Sequence, residues 1–330
     1  MSIKEIFDSL SRKTVLVIGD VMIDSYLFAG QKNKEEAPFP ILNVNKKEKR
    51  LGGAANVALN IQALGATPIL CSVVGDDHDG QTFERLLDYQ GMPNKGIIRS
   101  QNRRTTNKLR ILSGSQQVIR VDSEDVHPLI DLDRKALLHH IRDLIKECDL
   151  IIFEDYDKGT VHSEIIAETI SLAKEKNIPV AVDPKQHNFL EYRNTSLFKP
   201  SLKELASVFD GEIDLSKKSN LKKAVDVLDK KVRAEKYIIS MEGGDIYFQT
   251  NEFEEVYPTY HTGVSDMSGV GNTIISLAGL GLTLDISDEF MAELINIAAG
   301  IVAGSTGVVP INKDHLLKEA IKSQILAKYL

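Results

Sequence analysis

Thr14-Val-Leu-Val-Ile-Gly19-Asp20-Val-Met-Ile-Asp24 decides how the rest of the chain is read. A continuous apolar run ended by glycine marks a strand covered on both faces, as in a parallel sheet; a half-exposed strand would alternate. The run empties into Asp20 and Asp24, two carboxylates at a strand's C-terminal end, where ligands of open α/β sheets gather. Either aspartate also suits a solvated loop. Outward from this strand the theme repeats. Helical spacing over 132–146 leads to a strand at 149–153, and a helix over 163–176 leads to one at 180–183. Helices over 202–209 and 221–233 precede a strand at 237–240. Glu154-Asp155, Asp183-Pro-Lys185 and Ser240-Met-Glu242 close these strands, so carboxylates and a lysine converge on one rim of the sheet.

Two stretches break the pattern. Tyr26, Phe28 and Phe39-Pro-Ile-Leu-Asn-Val-Asn45 are short alternating segments, and so are Gly96-Ile-Ile, 105–112 and 117–121. They predict one small antiparallel sheet, a lid built from about 25–51 and 96–122, on a single domain spanning 1–330. A strand at 68–74 and a helix at 81–90 lie between the two excursions, and Ile3, Ile6, Phe7 and Leu10 form one face of a short first helix. Gly52 and Gly53 open another helix, with apolar positions at Val57, Ala58, Ile61 and Leu64 and a closing Gly65. Asn56 in its first turn is either a cap or a ligand-facing side chain.

Near the C-terminus, Gly269-Val270-Gly271-Asn272 runs into an apolar stretch from Ile274. This predicts a turn and a helix start with Asn272 as N-cap. Unpaired N–H groups at a helix start attract anions, phosphate above all, and two glycines let an anion reach the backbone. The same spacing also serves ordinary tight turns.

Composition narrows the function. The chain has 330 residues, 42% hydrophobic and 26% charged, which predicts a soluble globular protein. A net charge of −7 argues against a nucleic-acid or acidic-membrane surface. Two cysteines, Cys71 and Cys148, are too few for a disulfide frame or a zinc site. The start of the chain has no apolar signal segment, and the most apolar stretch, 295–309, is broken by Gly300, Gly304 and Gly307, so a cytoplasmic protein is expected.

With these motifs in hand the chain resembles the PfkB (ribokinase-like) carbohydrate kinase family, from about Val15 to about Leu317. The resemblance rests on Gly19-Asp-Val-Met-Ile-Asp24, Glu36-Ala-Pro-Phe-Pro40, Gly52-Gly-Ala-Ala-Asn-Val-Ala58, Lys108-Leu-Arg-Ile-Leu-Ser113 and Gln116-Gln-Val-Ile-Arg120. Asp155-Tyr-Asp-Lys-Gly159 and Asp183-Pro-Lys185 add to it, and the heptose-7-phosphate kinases are the most similar branch. The resemblance implies an α/β fold with a doubly wound, mostly parallel sheet, and a β-lid that pairs with a second lid in a homodimer. It implies a sugar phosphate held by Asp20, Asp24, Gly52, Gly53, Asn56, Lys108, Arg110, Asp155 and Lys158. It places ATP against Asp183, Lys185, Ser201, Glu204, Ser240, Gly243 and Asn296, with Mg²⁺ near Asp155 and Glu204 and a monovalent cation near Asp266. Gly269, Val270 and Gly271 would be the anion hole. The implied reaction converts heptose 7-phosphate to the 1,7-bisphosphate, toward ADP-heptose and lipopolysaccharide core. Relatives often carry a fused nucleotidyltransferase with His-x-Gly-His; no such motif occurs here, so a separate adenylyltransferase is expected.

Departures from the family pattern matter as much. The family's loop ends Gly-Ala-Gly-Asp with the aspartate as base, and here Asn272 stands in its place. An amide accepts no proton near neutral pH, and a positioned base is worth about two to four powers of ten in rate. The Asn-x-x-Glu metal motif reads Ser201-Leu-Lys-Glu204, the usual Thr-Arg reads Ser240-Met241, and Lys-x-Gly-Thr reads Ser305-Thr-Gly-Val308. Three readings follow: a slowed sugar-phosphate kinase with Asp266, Asp24 or a water as substitute base, a pseudokinase that binds a phosphosugar or a partner, or a ribose or nucleoside kinase.

Overall fold

The apolar run becomes β1 (Thr14–Gly19), buried at every position after Thr14. The computed structural model describes residues 2–31, 41–114, 116–209, 213–215, 217–241, 243–260, 267–305, 307–323 and 325–326. Strands β2 (Val21–Gln31), β3 (Leu42–Gly53), β4 (Thr67–Gly75), β5 (Ile97–Ser100), β6 (Asn107–Ser113) and β7 (Gln116–Ser123) follow. Then come β8 (Leu150–Glu154), β9 (Val180–Asp183), β10 (Leu197–Phe198), β11 (Lys236–Ser240), β12 (Ile246–Gln249) and β13 (Glu254–Tyr257). The helices are α1 (Ile3–Leu10), α2 (Ala54–Ala63), α3 (His78–Tyr89), α4 (Asp131–Leu144) and α5 (Ser163–Glu175). The remaining ones are α6 (Leu202–Phe209), α7 (Leu221–Val232), α8 (Val270–Gly281), α9 (Asp288–Ala303) and α10 (Lys313–Lys322).

Nine strands form the main sheet in the order β13-β12-β11-β10-β9-β8-β1-β4-β5. All neighbours from β11 to β5 are parallel, and β12 and β13 append an antiparallel edge. Parallel neighbours need crossover connections, and helices lie in all of them except the turn-rich segment 184–196 between β9 and β10. The two-residue period of β1 divides the core: Val15 and Val17 join α1, α2, α8 and α9 on one face, while Leu16 and Ile18 join α4, α5 and α7 on the other. This explains why the sequence shows no alternation there. Cys71 and Cys148 are free, and burial raises both thiols above the usual range.

Four strands, in the order β3-β2-β6-β7, make the lid. Asp20 alone separates β1 from β2, so the lid grows directly out of the central strand. Three expectations change here. The segment after Gly96 forms β5, which pairs in parallel with β4 at the edge of the main sheet, so the lid's second excursion is 107–123. Asp24 lies inside β2, in register with Arg50 and Lys108, and not in a loop at the end of β1. The lid is also mixed, because β2 and β6 run parallel. Glu36-Ala-Pro-Phe-Pro40 and Asp266 lie outside the described residues.

The lid has no core of its own. Every residue of β7 is exposed. Its pairing puts Asp24, Lys108 and Asp122 on one face, and the ladders Ser25-Leu109-Val121 and Leu27-Ile111-Ile119 on the other. Among the described residues no helix is long and apolar enough to cross a membrane.

Candidate active site

Helix α8 starts one turn earlier than expected. Gly269 is its N-cap, in the left-handed region at φ 83°, and Asn272 is the third helical residue with no capping bond. A left-handed cap suits glycine and excludes the asparagine side-chain cap, which needs extended backbone. The helix is buried on all sides but for Gly271. It is clamped through Asn60, whose Oδ1 accepts from the Thr273 hydroxyl and from the Ile311 N–H, both at 3.0 Å. The N–H groups of the first turn, with no capping side chain, form the mouth.

Below that mouth lie the strand ends. Glu154 and Asp183 are register partners on β8 and β9. Both are buried, and Glu154 Oε2, Asp183 Oδ1 and Asn272 Nδ2 have no hydrogen-bond partner among the described residues. Burial, then the charge of Asp183, pushes the Glu154 carboxyl well above the usual carboxylate range. The Tyr156 hydroxyl stands 3.5 Å from Asn272 Oδ1, and Lys185 lies over the Tyr156 ring. Lys199, which the sequence reading missed, is buried and paired with Asp183 Oδ2 at 2.8 Å. The signal was faint: β10 is only two residues long, so a lysine at its end looked like loop.

Several of the expected ligands also make hydrogen bonds within the protein. The Asp20 carboxylate accepts the backbone N–H groups of Tyr156, Lys158 and Thr160 at 2.9–3.0 Å and so anchors that loop. Asp155 Oδ2 accepts from Asn188 and from Tyr192, and its Oδ1 accepts the Asp157 N–H. Burial and then the charge of Asp20 raise its carboxyl to about 6. Glu204 accepts the Ser201 N–H at 2.8 Å while Ser201 Oγ accepts the Glu204 N–H at 3.2 Å, a capping box for α6. Its other oxygen takes Lys185. Against the upward push of burial, that lysine holds the Glu204 carboxyl below its usual range. Asn296 Nδ2 donates to the Pro258 carbonyl at 3.1 Å, while its Oδ1 has no partner among the described residues. Ser240 pairs through its backbone with Pro200, and the Gly243 carbonyl accepts from Thr259.

On the lid side the expected residues do meet. Arg110 donates to Asp24 Oδ1 at 2.5 Å and lies, with Arg50, over the Tyr26 ring. Lys158 pairs with Glu124 at 2.7 Å, and Lys108 stands 3.9 Å from the same carboxylate. Gly52 lies against Asp24, and a Cβ there would collide with its carboxylate. Gly53 caps α2 in the left-handed region, at φ 61°, which excludes the capping role for Asn56. Asn56 is buried in the first turn, and its carbonyl accepts from Asn60 at 2.9 Å.

A doubly wound sheet with a lid beside one edge of its strand ends and a glycine-headed helix above them is the architecture of ribokinase-like phosphotransferases. The chain belongs to the pfkB family of carbohydrate kinases: the family model matches residues 12–314. It is 36% identical over 303 residues to a bifunctional protein HldE of Wolinella succinogenes, covering 92% of this chain and 63% of that protein. It is 34% identical to the bifunctional protein HldE of Syntrophotalea carbinolica, covering 96% and 64%. The chain thus spans less than two thirds of the length of these relatives. Phosphofructokinase-2 from Escherichia coli in complex with potassium superposes with a TM-score of 0.77 at 18% identity, over 96% of this chain and 99% of that one. Arabidopsis thaliana ribokinase complexed with ribose and ATP superposes at 0.72 and 16% identity, over 93% of this chain.

Proposed function

We propose that this carbohydrate kinase transfers the γ-phosphoryl group of ATP to heptose 7-phosphate, giving the 1,7-bisphosphate, in the cytoplasm. The observation that carries the reading is the α8 mouth, whose uncapped first turn opens beside the orphaned oxygens of Glu154 and Asp183. Phosphoryl transfer is mostly positioning and charge neutralisation, and this arrangement supplies both. Arg110 and Lys108 on the lid, with Lys158 from the loop after β8, bring three cationic side chains to the site, which suits a sugar already phosphorylated. Magnesium, when bound, would neutralise the triphosphate. Asp183 Oδ1, a buried carboxylate oxygen without a partner among the described residues, is a hard donor of the kind it takes.

Asn272 favours a second reading, a pseudokinase that holds a phosphosugar without turnover. A coupled ADP-release assay with heptose 7-phosphate, fructose 6-phosphate and ribose separates the possibilities. Turnover on the heptose is expected. Turnover on ribose alone, or none with any sugar, rejects the proposal. The apolar lid face carrying Leu109, Ile111, Ile119 and Val121 supports a lid-to-lid homodimer, as burying such a face takes a partner of matching shape. Ile119→Lys with Val121→Glu is then expected to shift the protein from dimer to monomer in sedimentation. An adenylylation step for the product would follow on a separate domain or protein.

A further inference from the structure

We infer that Lys199 is a phosphoryl-binding residue, whose ammonium takes an oxygen of the group being transferred at the mouth of α8. The inference rests on the kinase reading above and names the cation that serves it. Lys199 is 3% exposed and has Asp183 as its partner. A Cβ built on Gly271 would stand 3.5 Å from Lys199 Nζ and 3.8 Å from Asp183 Oδ2, so the pair forms the floor beneath the first turn.

Three features point from that floor to an anion. The Lys199 ammonium lies beside the positive end of the helix, paired with Asp183 and close enough to Glu154 and Glu204 to draw their carboxyls downward. The ammonium and the helix end together face the place of an arriving phosphoryl group. Gly271, second, is not explained by packing. It has ordinary helical backbone, and a Cβ would meet its neighbours only at normal contact distances. Glycine is the poorest helix residue after proline, so leaving the Cβ out here keeps space open in front of Lys199. Third, Asp183 and Asn272, the latter next to Gly271 in the chain, are each more than nine-tenths buried, and Asp183 Oδ1 and Asn272 Nδ2 have no partner among the described residues.

Calorimetric titration of ATP and of ADP, each with magnesium and without sugar, tests this on native protein, Lys199→Met and Gly271→Ala. The native protein should bind ATP about tenfold more tightly than ADP, a difference owed to the terminal phosphoryl group. Lys199→Met should bring the two affinities within about twofold of each other while leaving ADP and heptose 7-phosphate binding unchanged, and kcat should fall about 100-fold or more with the sugar KM steady. Lys199→Arg should recover part of the preference. Because removing one member of a buried pair can unfold a protein, Gly271→Ala, which breaks no ion pair, is the parallel arm: it should melt like the native protein and still lose the ATP preference. If the native protein prefers ATP and folded variants keep that preference, Lys199 is only a structural partner of Asp183 and the inference fails alone. If the native protein binds neither nucleotide, the kinase reading fails with it.

Discussion

The lid and the α8 mouth face one another across the site and are built on opposite principles. At the lid, charges are partly exposed and paired, Arg110–Asp24 across two lid strands and Lys158–Glu124 between the loop after β8 and the end of β7, on a sheet whose outer strand buries nothing. At the mouth, Lys199, Asp183, Glu154 and Asn272 are buried and their pairing is incomplete. Partly exposed pairs contribute little to stability and can be exchanged for ligand contacts at small cost. Buried, unfinished polar groups cost stability in the empty protein, and something must complete them. The contrast assigns recognition to the lid and charge neutralisation to the mouth.

The largest effect should come from the mouth. Asn272→Asp places a carboxylate where only an amide now stands, and kcat should rise about 100- to 10,000-fold with little change in sugar KM, read by ADP release. A smaller rise, or a fall, would mean that another group already takes the hydroxyl proton. Next in size is a pH effect behind the mouth. The folded-state pKa of Asp155 is raised to about 6, so the native state holds its proton over a range where the unfolded chain has lost it. Stability from this group is therefore full below about pH 4 and declines as pH rises to about 6, by up to about 3 kcal/mol. Urea midpoints for native protein and Asp155→Asn at several pH values should differ in slope across that window, and parallel slopes would refute the assignment.

The lid predicts a smaller and more selective loss. Arg110→Ala should weaken heptose 7-phosphate about 10- to 100-fold, since a charged hydrogen bond is worth about 1.5–3 kcal/mol, while ATP affinity stays within about twofold. An equal loss of both ligands would blur the division between the two regions. Smallest is Ser201→Ala, which removes the N-cap side chain of the α6 capping box and should lower stability by about 1 kcal/mol in denaturant unfolding.

Much of this could be read from residues alone. The apolar run of β1 announced the parallel sheet because burial on both faces suppresses alternation, and the polar ends of β8 and β9 marked the rim. The lid was legible from alternation, but β5 was assigned to it wrongly: four residues with a half-buried pattern look alike at either sheet's edge. Side-chain commitments were not legible. Asp20, Asp155 and Glu204 looked like ligands by type and place, yet each is held by protein donors that lie up to 140 residues away or in its own helix cap. Lys199 was invisible because its meaning depends on Gly271, brought over it by the fold.

The most direct measurement is ADP release from ATP and magnesium on addition of heptose 7-phosphate, run side by side for the native protein and Asn272→Asp. Slow turnover by the native protein and a large gain in the variant are expected. Sugar binding by both proteins with no ADP from either would contradict a phosphoryl-transfer cradle at the head of α8.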